Sequence, residues 1–366
     1  MGASRCVAAR DSIRAVLGTI LVCEALVPFV RGGAEYHVRE LVDQLRLHGH
    51  QAELVSVPFK WYPKSELLAH AAAWRLLDLS ESNGRPVDAV IATKFPTYFA
   101  RHPRKVAWLI HQYRAAYELA GTPFSDFAHT DEDVALRQHI VRLDTTMLGE
   151  CQRIFANAGN TARRAERFNG LSVEALYHPP RLASRLKHGD FGSYLLSVGR
   201  LESVKRVDLA IRALAHTRPS LTLIVAGTGT FRPQLEALAA SLGIADRVRF
   251  LGEVSDEQII ELYAGALGVI FPPYDEDYGY VTIEAFLSGK PVITTTDAGG
   301  PNEFVVDGLN GRVTAPEPGA LGEAMQFLHD DKTRAASLGD AGYQRARLVT
   351  WAGVIDRLLS PTVGTP

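Results

Sequence analysis

Cysteine is scarce in this chain. Three occur in 366 residues, Cys6, Cys23 and Cys151, and no two form a C-x-x-C pair. That excludes a disulfide framework and a thiolate zinc site, and it fits a reducing compartment. An excess of one charge is also missing. The 39 Lys and Arg meet 41 Asp and Glu, for a net charge of -2, so no nucleic-acid partner is indicated. Long apolar runs are lacking too. Ala15–Cys23 falls far below the ~20 residues of a spanning helix. It follows Arg5, Arg10 and Arg14 as a signal-peptide core would. However, Asp11 sits among those cations, Glu24 ends the run and a Gly-Gly pair comes next. A first β-strand is the better reading. Met1-Gly2 opens like a myristoylation site, but Cys6 stands where Ser or Thr is needed. No H-x-x-x-H pair and no G-x-S-x-G elbow occurs, which leaves zinc and serine hydrolysis unsupported. A cytoplasmic location is expected, with peripheral contact at the inner face of a membrane left open. Oligomeric state is not legible.

What is present is the composition of a globular protein, 46% hydrophobic and 22% charged, at a length near two domains. Short apolar runs alternate with amphipathic stretches. The first set of strand-like runs is Ala15–Cys23, Ala52–Val57, Ala89–Ala92, Val106–Ile110 and Arg153–Asn157. A Pro179-Pro180 pair and a polar stretch to Asp190 follow. The rhythm then restarts with Tyr194–Val198, Leu221–Ala226, Val248–Leu251, Leu267–Phe271 and Val292–Thr295. Near-continuous apolar runs suit strands buried on both faces of a parallel sheet. Between them, Ala34–Leu47, Arg232–Leu242 and Asp256–Ala266 repeat apolar residues at helical spacing. The pattern predicts α/β architecture, two doubly wound Rossmann-like domains facing an interdomain cleft. The boundaries expected are residues 1–184 and 185–349.

Three segments could carry chemistry. Gly32-Gly33 follows the first strand and opens a helix, where backbone N–H groups favour an anion; a plain tight turn would look the same. Arg200 and Lys205 lie just beyond a strand that ends at Gly199. Both can grip a phosphate, or both can be solvated surface cations. Glu276 and Glu284 stand eight residues apart around Gly279. This spacing puts one carboxylate on a loop and one in the following helix, each able to accept hydroxyl hydrogen bonds. The Gly279–Val281 backbone would start that helix and offer N–H donors to a phosphate. Asp275 and Asp277 also form a D-x-D pair of the kind that binds a metal on a different domain plan. Gly227-Thr228-Gly229 does not complete G-x-G-x-x-G, so a nicotinamide site is not indicated. Gly299-Gly300 again opens a helix and reads as a turn or as a neighbour of the phosphates. His111 directly follows its strand and is aimed at the cleft.

Taken in order, these motifs resemble the family-4, or group 1, glycosyltransferases of the GT-B fold. Gly32-Gly33, the strand–His111 junction, Phe155-Ala156-Asn157 and Val198-Gly199-Arg200-Leu201 with Lys205 carry the likeness. So do the Ala226–Gly229 loop, Phe250-Leu251-Gly252, Glu276 to Glu284, and Gly289-Lys290-Pro291-Val292. The resemblance implies a retaining hexosyltransferase with a nucleotide diphosphate sugar as donor substrate, no cofactor and no metal. It leans to mannose, with a glycan, lipid-linked saccharide or small molecule as acceptor. It implies that Arg200 and Lys205 bind the diphosphate, Glu276 the sugar hydroxyls and Glu284 the ribose. Gly32 and Gly33 would close on the diphosphate, the Gly279, Tyr280 and Val281 backbone would approach phosphate and sugar, and His111 would lie beside the transferred sugar. A last helix around 350–366 would cross back to the first domain. Departures stand out. Asp277-Tyr278 replaces the frequent Gly-Phe, Tyr280 replaces an aliphatic residue or Pro, and Arg206 replaces Gly. The first three are expected to line the sugar pocket. A catalytically silent nucleotide-sugar-binding subunit and a phosphorylase-type enzyme on the same fold are the alternatives.

Overall fold

The computed structural model describes residues 18–29 and 32–360. Met1-Gly2, Arg5, Cys6, Arg10, Arg14, the Ala15–Leu17 start of the first run, Arg31 and residues 361–366 lie outside the described residues.

Two six-stranded parallel sheets form in succession. The first holds β1 (Thr19–Leu26), β2 (Gln51–Pro58), β3 (Ala89–Lys94), β4 (Lys105–His111), β5 (Arg153–Ala156) and β6 (Glu174–Ala175), in the order β2-β1-β3-β4-β5-β6. The second holds β7 (Tyr194–Val198), β8 (Thr222–Ala226), β9 (Val248–Gly252), β10 (Gly268–Ile270), β11 (Val292–Thr295) and β12 (Gly311–Thr314), in the order β9-β8-β7-β10-β11-β12. Helices α1 (Gly33–Leu47), α2 (Glu66–Leu76), α3 (Asp131–Gly149) and α4 (Gly159–Asn169) cover the first sheet. Helices α5 (Val207–Leu214), α6 (Arg232–Ser241), α7 (Asp256–Gly265), α8 (Tyr280–Leu287), α9 (Pro318–Asp330) and α10 (Lys332–Ala346) belong with the second.

Burial explains the strands. All six residues of β3 are buried, as expected for a strand covered by helices on both faces. In β7 and β8 the alternation of side chains sorts neighbours to opposite layers. Leu195, Leu223 and Val225 join the layer of α5, α6 and α9, whereas Leu196 and Ile224 join the layer of Tyr263, Ile283 and Phe286. Helix α1 buries Val38, Leu41, Val42 and Leu45 at helical spacing against Ile20, Val22 and Trp108. The last helix, α11 (Trp351–Leu359), inserts Val354, Ile355 and Leu358 into that same layer. Arg153 donates to the Arg357 and Leu358 carbonyls at 2.8 and 2.7 Å and so satisfies the end of α11.

Each sheet has one point where strand order reverses, between β1 and β3 and between β7 and β10. Open α/β sheets bind ligands outside the strand C-termini at that point. The segments leaving β1, β3 and β4 carry Gly33, Lys94 and His111. Those leaving β7 and β10 carry Arg200, Lys205 and Glu276. Edge strands β6 and β12 contain no long apolar run, and helix α3 buries two acids, Asp133 and Asp144, beside Ile140 and Leu148. Pattern reading alone therefore does not reveal them.

Asp144 braces the wall behind the cleft. Tyr117 donates to its Oδ2 at 2.7 Å, and Asn169 of α4 donates to the same tyrosine oxygen at 3.2 Å. Burial lifts the Asp144 carboxyl to about 7, even though the tyrosine hydrogen bonds pull it down. The native state thus keeps a proton that the unfolded chain loses near the ordinary value of 3.8. This group's contribution to stability is full in acid and is lost as pH rises toward 7, by up to about 1.4 kcal/mol per pH unit. Wild-type minus Asp144→Asn unfolding free energy, from urea titrations across pH 4 to 8, is expected to fall through that window and then level off.

Candidate active site

Two helices begin at the cleft with no side-chain cap. Gly32 precedes α1 in an extended conformation, and Gly279 precedes α8 with φ 76° and ψ 65°. The left-handed conformation at Gly279 is one that glycine adopts without a Cβ penalty, and it aims the first turn of α8 inward. The two starts touch. A Cβ on Gly33 would lie 2.9 Å from the Tyr280 ring. Two positive helix ends therefore face one space, where an anion is favoured. A third cleft helix, α4, differs in that Glu303 of the second domain accepts the Gly159 N–H at 2.8 Å.

Cations and carboxylates join these ends. Lys205 Nζ and Glu276 Oε2 are 2.5 Å apart, each side chain mostly buried. Lys205 ends a short 3-10 turn, and Arg206 follows in a left-handed conformation with φ 50°. That conformation accounts for the frequent Gly there. Arg206 offsets the strain by donating to Pro272 O, Pro273 O, Thr295 Oγ1 and both oxygens of Asp297. Arg200 is half-exposed and pairs with Glu202 at 2.7 Å. Its Nε lies 3.8 Å from where a Gly32 Cβ would stand, so Arg200 flanks the start of α1. The glycine loops set these positions. A Cβ at Gly227 would strike Gly199 O at 1.9 Å, and one at Gly299 would strike Glu276 O at 2.5 Å. The Gly-Thr-Gly and Gly-Gly motifs are thus close-packing devices that press against the Arg200 and Glu276 loops.

Between the domains lies a cavity of about 220 Å³ whose lining includes Gly33, Glu40, Arg181, Gly199, Tyr280 and Glu284. Glu284 accepts a hydrogen bond from Tyr263 at 2.8 Å. Burial raises its carboxyl above the usual range, against that hydrogen bond and the Arg181 charge. His37 and His178 sit beneath, buried, with Nδ1 and Nε2 2.7 Å apart. Burial holds both rings neutral, His178 at about 3.

His111 ends β4, and its Nδ1 lies 2.7 Å from Gln112 O. With the proton on Nδ1, Nε2 is left as an acceptor. Burial lowers its pKa to about 4, with the Lys94 charge adding to that and Asp277 opposing it. Lys94 closes β3 and pairs with Glu35 at 2.8 Å, both side chains 8% exposed. Burial would lift the Glu35 carboxyl, but the Lys94 charge and hydrogen bond outweigh it and hold it low.

The structure brings Lys205 to Glu276, Arg200 to Gly32, and Gly33 to Tyr280 and Glu284. Val281 is buried in the first turn of α8. Two expectations need correction. Asp277 does not line a sugar pocket; it reaches into the first domain, where Arg164 and Arg114 stand 2.6 and 3.5 Å away. Tyr278 is buried, stacks on His178 and donates to the His178 carbonyl. Tyr280 does face the cavity, and its hydroxyl lies 3.2 Å from His178 Nε2. Lys94 and Glu35 were not singled out, though a lysine at a strand's C-terminal end carries the signal that marked His111. Arg114 and Arg164 carry no such signal, because only the domain contact assembles them. Gly33→Ala is expected to drive a methyl into the Tyr280 ring and reduce turnover about tenfold or more, as closely packed sites respond to sub-ångström displacement. Tyr280→Val in the same chain should restore part of the loss. Steady-state rates of the single and double variants check this.

The description "Glycosyl transferases group 1" matches residues 184–345. A D-inositol 3-phosphate glycosyltransferase of Nocardia farcinica is 30% identical over 69% of this chain and 61% of its own length. Its namesake from Streptomyces avermitilis is 35% identical over 43% of this chain. The chain spans 61% of the first relative's length and 36% of the second's. Among solved structures, a sucrose-phosphate synthase from Thermosynechococcus elongatus superposes with a TM-score of 0.76 at 18% identity, covering 93% of this chain and 97% of that one. HepE of Anabaena, in complex with UDP and glucose, superposes at 0.68 with 20% identity over 93% and 98%. No helix among the described residues is long and apolar enough to cross a membrane. Residues 184–345 thus match the group 1 glycosyltransferases, and the two facing sheets have the GT-B fold of the solved structures they superpose on.

Proposed function

We propose that this protein is a retaining hexosyltransferase that uses a nucleoside diphosphate sugar. One observation carries the reading. The uncapped starts of α1 and α8 meet across a cleft beside Lys205 and Arg200, a place built for two linked phosphates. Breaking the glycosyl–phosphate bond puts negative charge on the departing diphosphate. Fixed N–H ends and cations stabilise that charge more in the transition state than in the ground state. Lys205 and Glu276 then divide their work, Nζ toward phosphate and the carboxylate toward a sugar hydroxyl. Glu284 faces the cavity as the ribose partner. Neutral His111 offers Nε2 to a hydroxyl of the transferred sugar without adding charge.

Retention is proposed through a front-face path in which the leaving phosphate takes the acceptor proton. Asp277 is the carboxylate that acts on His111, and Arg114 and Arg164 hold it at about 2 against the effect of burial. So paired, it is a poor nucleophile. The lean to mannose gains no support from the relatives. UDP in HepE favours a uridine donor as the first to try, with GDP-mannose second. The first domain, which we assign to the acceptor, lies outside the matched residues 184–345. D-inositol 3-phosphate, after the relatives' name, belongs in the acceptor panel beside free inositol and simple glycans. Metal-independent transfer is part of the proposal, since Lys205, Arg200 and two helix ends supply the positive charge.

The test is nucleoside diphosphate release from UDP-, GDP- and dTDP-hexoses with that acceptor panel, with and without EDTA. One donor class should turn over, and EDTA should leave the rate unchanged. Lys205→Ala and Glu276→Ala should each cost about 100-fold or more, the scale for removing one transition-state contact in a dry site. Turnover at the wild-type rate in either variant would refute the assignment.

A further inference from the structure

The loop that carries Glu276 is held from the opposite domain. Arg164 of α4 places Nη1 2.6 Å from Asp277 Oδ1, and Arg114 places Nη1 3.5 Å from Oδ2. The same two arginines grip Glu118, Arg164 at 2.8 Å and Arg114 at 2.5 Å. The result is a closed ring of alternating charge. Three members come from the first domain and one, Asp277, from the second. Arg164 and Glu118 are nearly fully buried, with side chains 3% and 8% exposed. Arg114 also donates to the Asp275 carbonyl at 2.5 Å. Asn160 of α4 donates to Asp275 Oδ1 at 2.6 Å and to the Glu276 carbonyl at 3.0 Å. Both neighbours of Glu276 are thus tied to the first domain, while its own carboxylate turns to Lys205 of the second. Asp275 takes a left-handed φ of 44°, a conformation that aspartate reaches more readily than most residues and that these contacts hold.

We propose that Arg114 and Arg164 are positioning residues for Glu276, acting through Asp275 and Asp277, so that the sugar-binding carboxylate is aligned only when the acceptor domain is docked. The inference rests on Glu276 as the donor-sugar contact. Its physical basis is charge balance. In the docked state Glu118 alone would leave two buried guanidinium groups short of one negative charge, and Asp277 neutralises the set. Removing one partner of a buried ionic group leaves an uncompensated charge and is strongly unfavourable. Docking and alignment of the Glu276 loop therefore occur together, and the chemistry waits for the closure that keeps water out. The Arg164–Asp277 contact lacks hydrogen-bond alignment at Nη1. It acts by charge, so a lysine can replace the arginine better than a neutral residue can.

The experiment measures nucleoside diphosphate release from UDP-glucose, UDP-galactose and GDP-mannose. In parallel, calorimetry follows binding of UDP or GDP, whichever the wild type binds. Asp277→Asn and Arg164→Gln should each lower kcat about tenfold or more while nucleoside diphosphate affinity stays within about twofold, because that ligand lacks the sugar Glu276 holds. Arg164→Lys should recover most of the Gln loss. Glu276→Gln/Asp277→Asn should be no slower than Glu276→Gln alone, since coupled groups do not add. Asp277→Asn at the wild-type rate while Glu276→Gln collapses would overturn the positioning role alone. A double variant showing the product of both single losses would do the same. Wild-type turnover in Glu276→Gln would remove the donor-site reading underneath it.

Discussion

Two positive helix ends share one cleft, and much of the molecule is arranged around that constraint. Like partial charges of about half an elementary unit repel when brought together without an anion between them. The start of α1 nevertheless packs against the first side chain of α8, Gly33 against the Tyr280 ring. Holding them there requires both sheets, each presenting its order reversal to the other. It also requires contacts from elsewhere, among them the Glu303 carboxylate, which caps α4 and accepts from Tyr177 at 2.9 Å. The cavity of about 220 Å³ lies beside these contacts and is lined by Gly33 and Tyr280.

Backbone crowding keeps the site in register. Gly227 and Gly229 let one loop lie against Gly199 and Leu201, and Gly299 and Gly300 let another lie against Glu276 and Asp277. A Cβ at any of these would meet backbone at 2.5 Å or less, so the neighbouring loop would have to shift. Arg206 shows a different solution to the same geometry. A left-handed residue that is not glycine keeps its place because its guanidinium binds the Pro272 and Pro273 carbonyls of one loop and Asp297 of another. Lys205, one residue earlier, inherits that rigidity.

The domain interface also reaches the loop that carries Glu276. Asp277 and Tyr278 are the residues by which this chain departs from the commoner Gly-Phe. Both turn into the domain interface, one into a ring of four charges and the other into a stack with His178. The departure therefore alters how the domains hold each other more than it alters the pocket wall. The buried His37 and His178 and the half-buried His111 are all kept neutral by desolvation. The cleft charge is thereby left to Lys94, Lys205 and the arginines.

The sequence by itself determined the alternation of strand and helix, the two-domain plan and the Gly33, Lys205, Glu276 and Glu284 positions. These are local properties: apolar runs fix buried strands, and a residue just past a strand end is delivered to the C-terminal edge. Expected strand ends fall up to three residues short where ladders extend past the apolar core, as in β1, which runs on to Leu26, and β3, which runs on to Lys94. Only the tertiary structure decided which charges meet. Arg114, Glu118, Arg164 and Asp277 are scattered over more than 160 positions, and nothing in their local spacing joins them. Charge pairing across domains depends on how two sheets dock, and docking is set by the sum of many contacts that no single segment records.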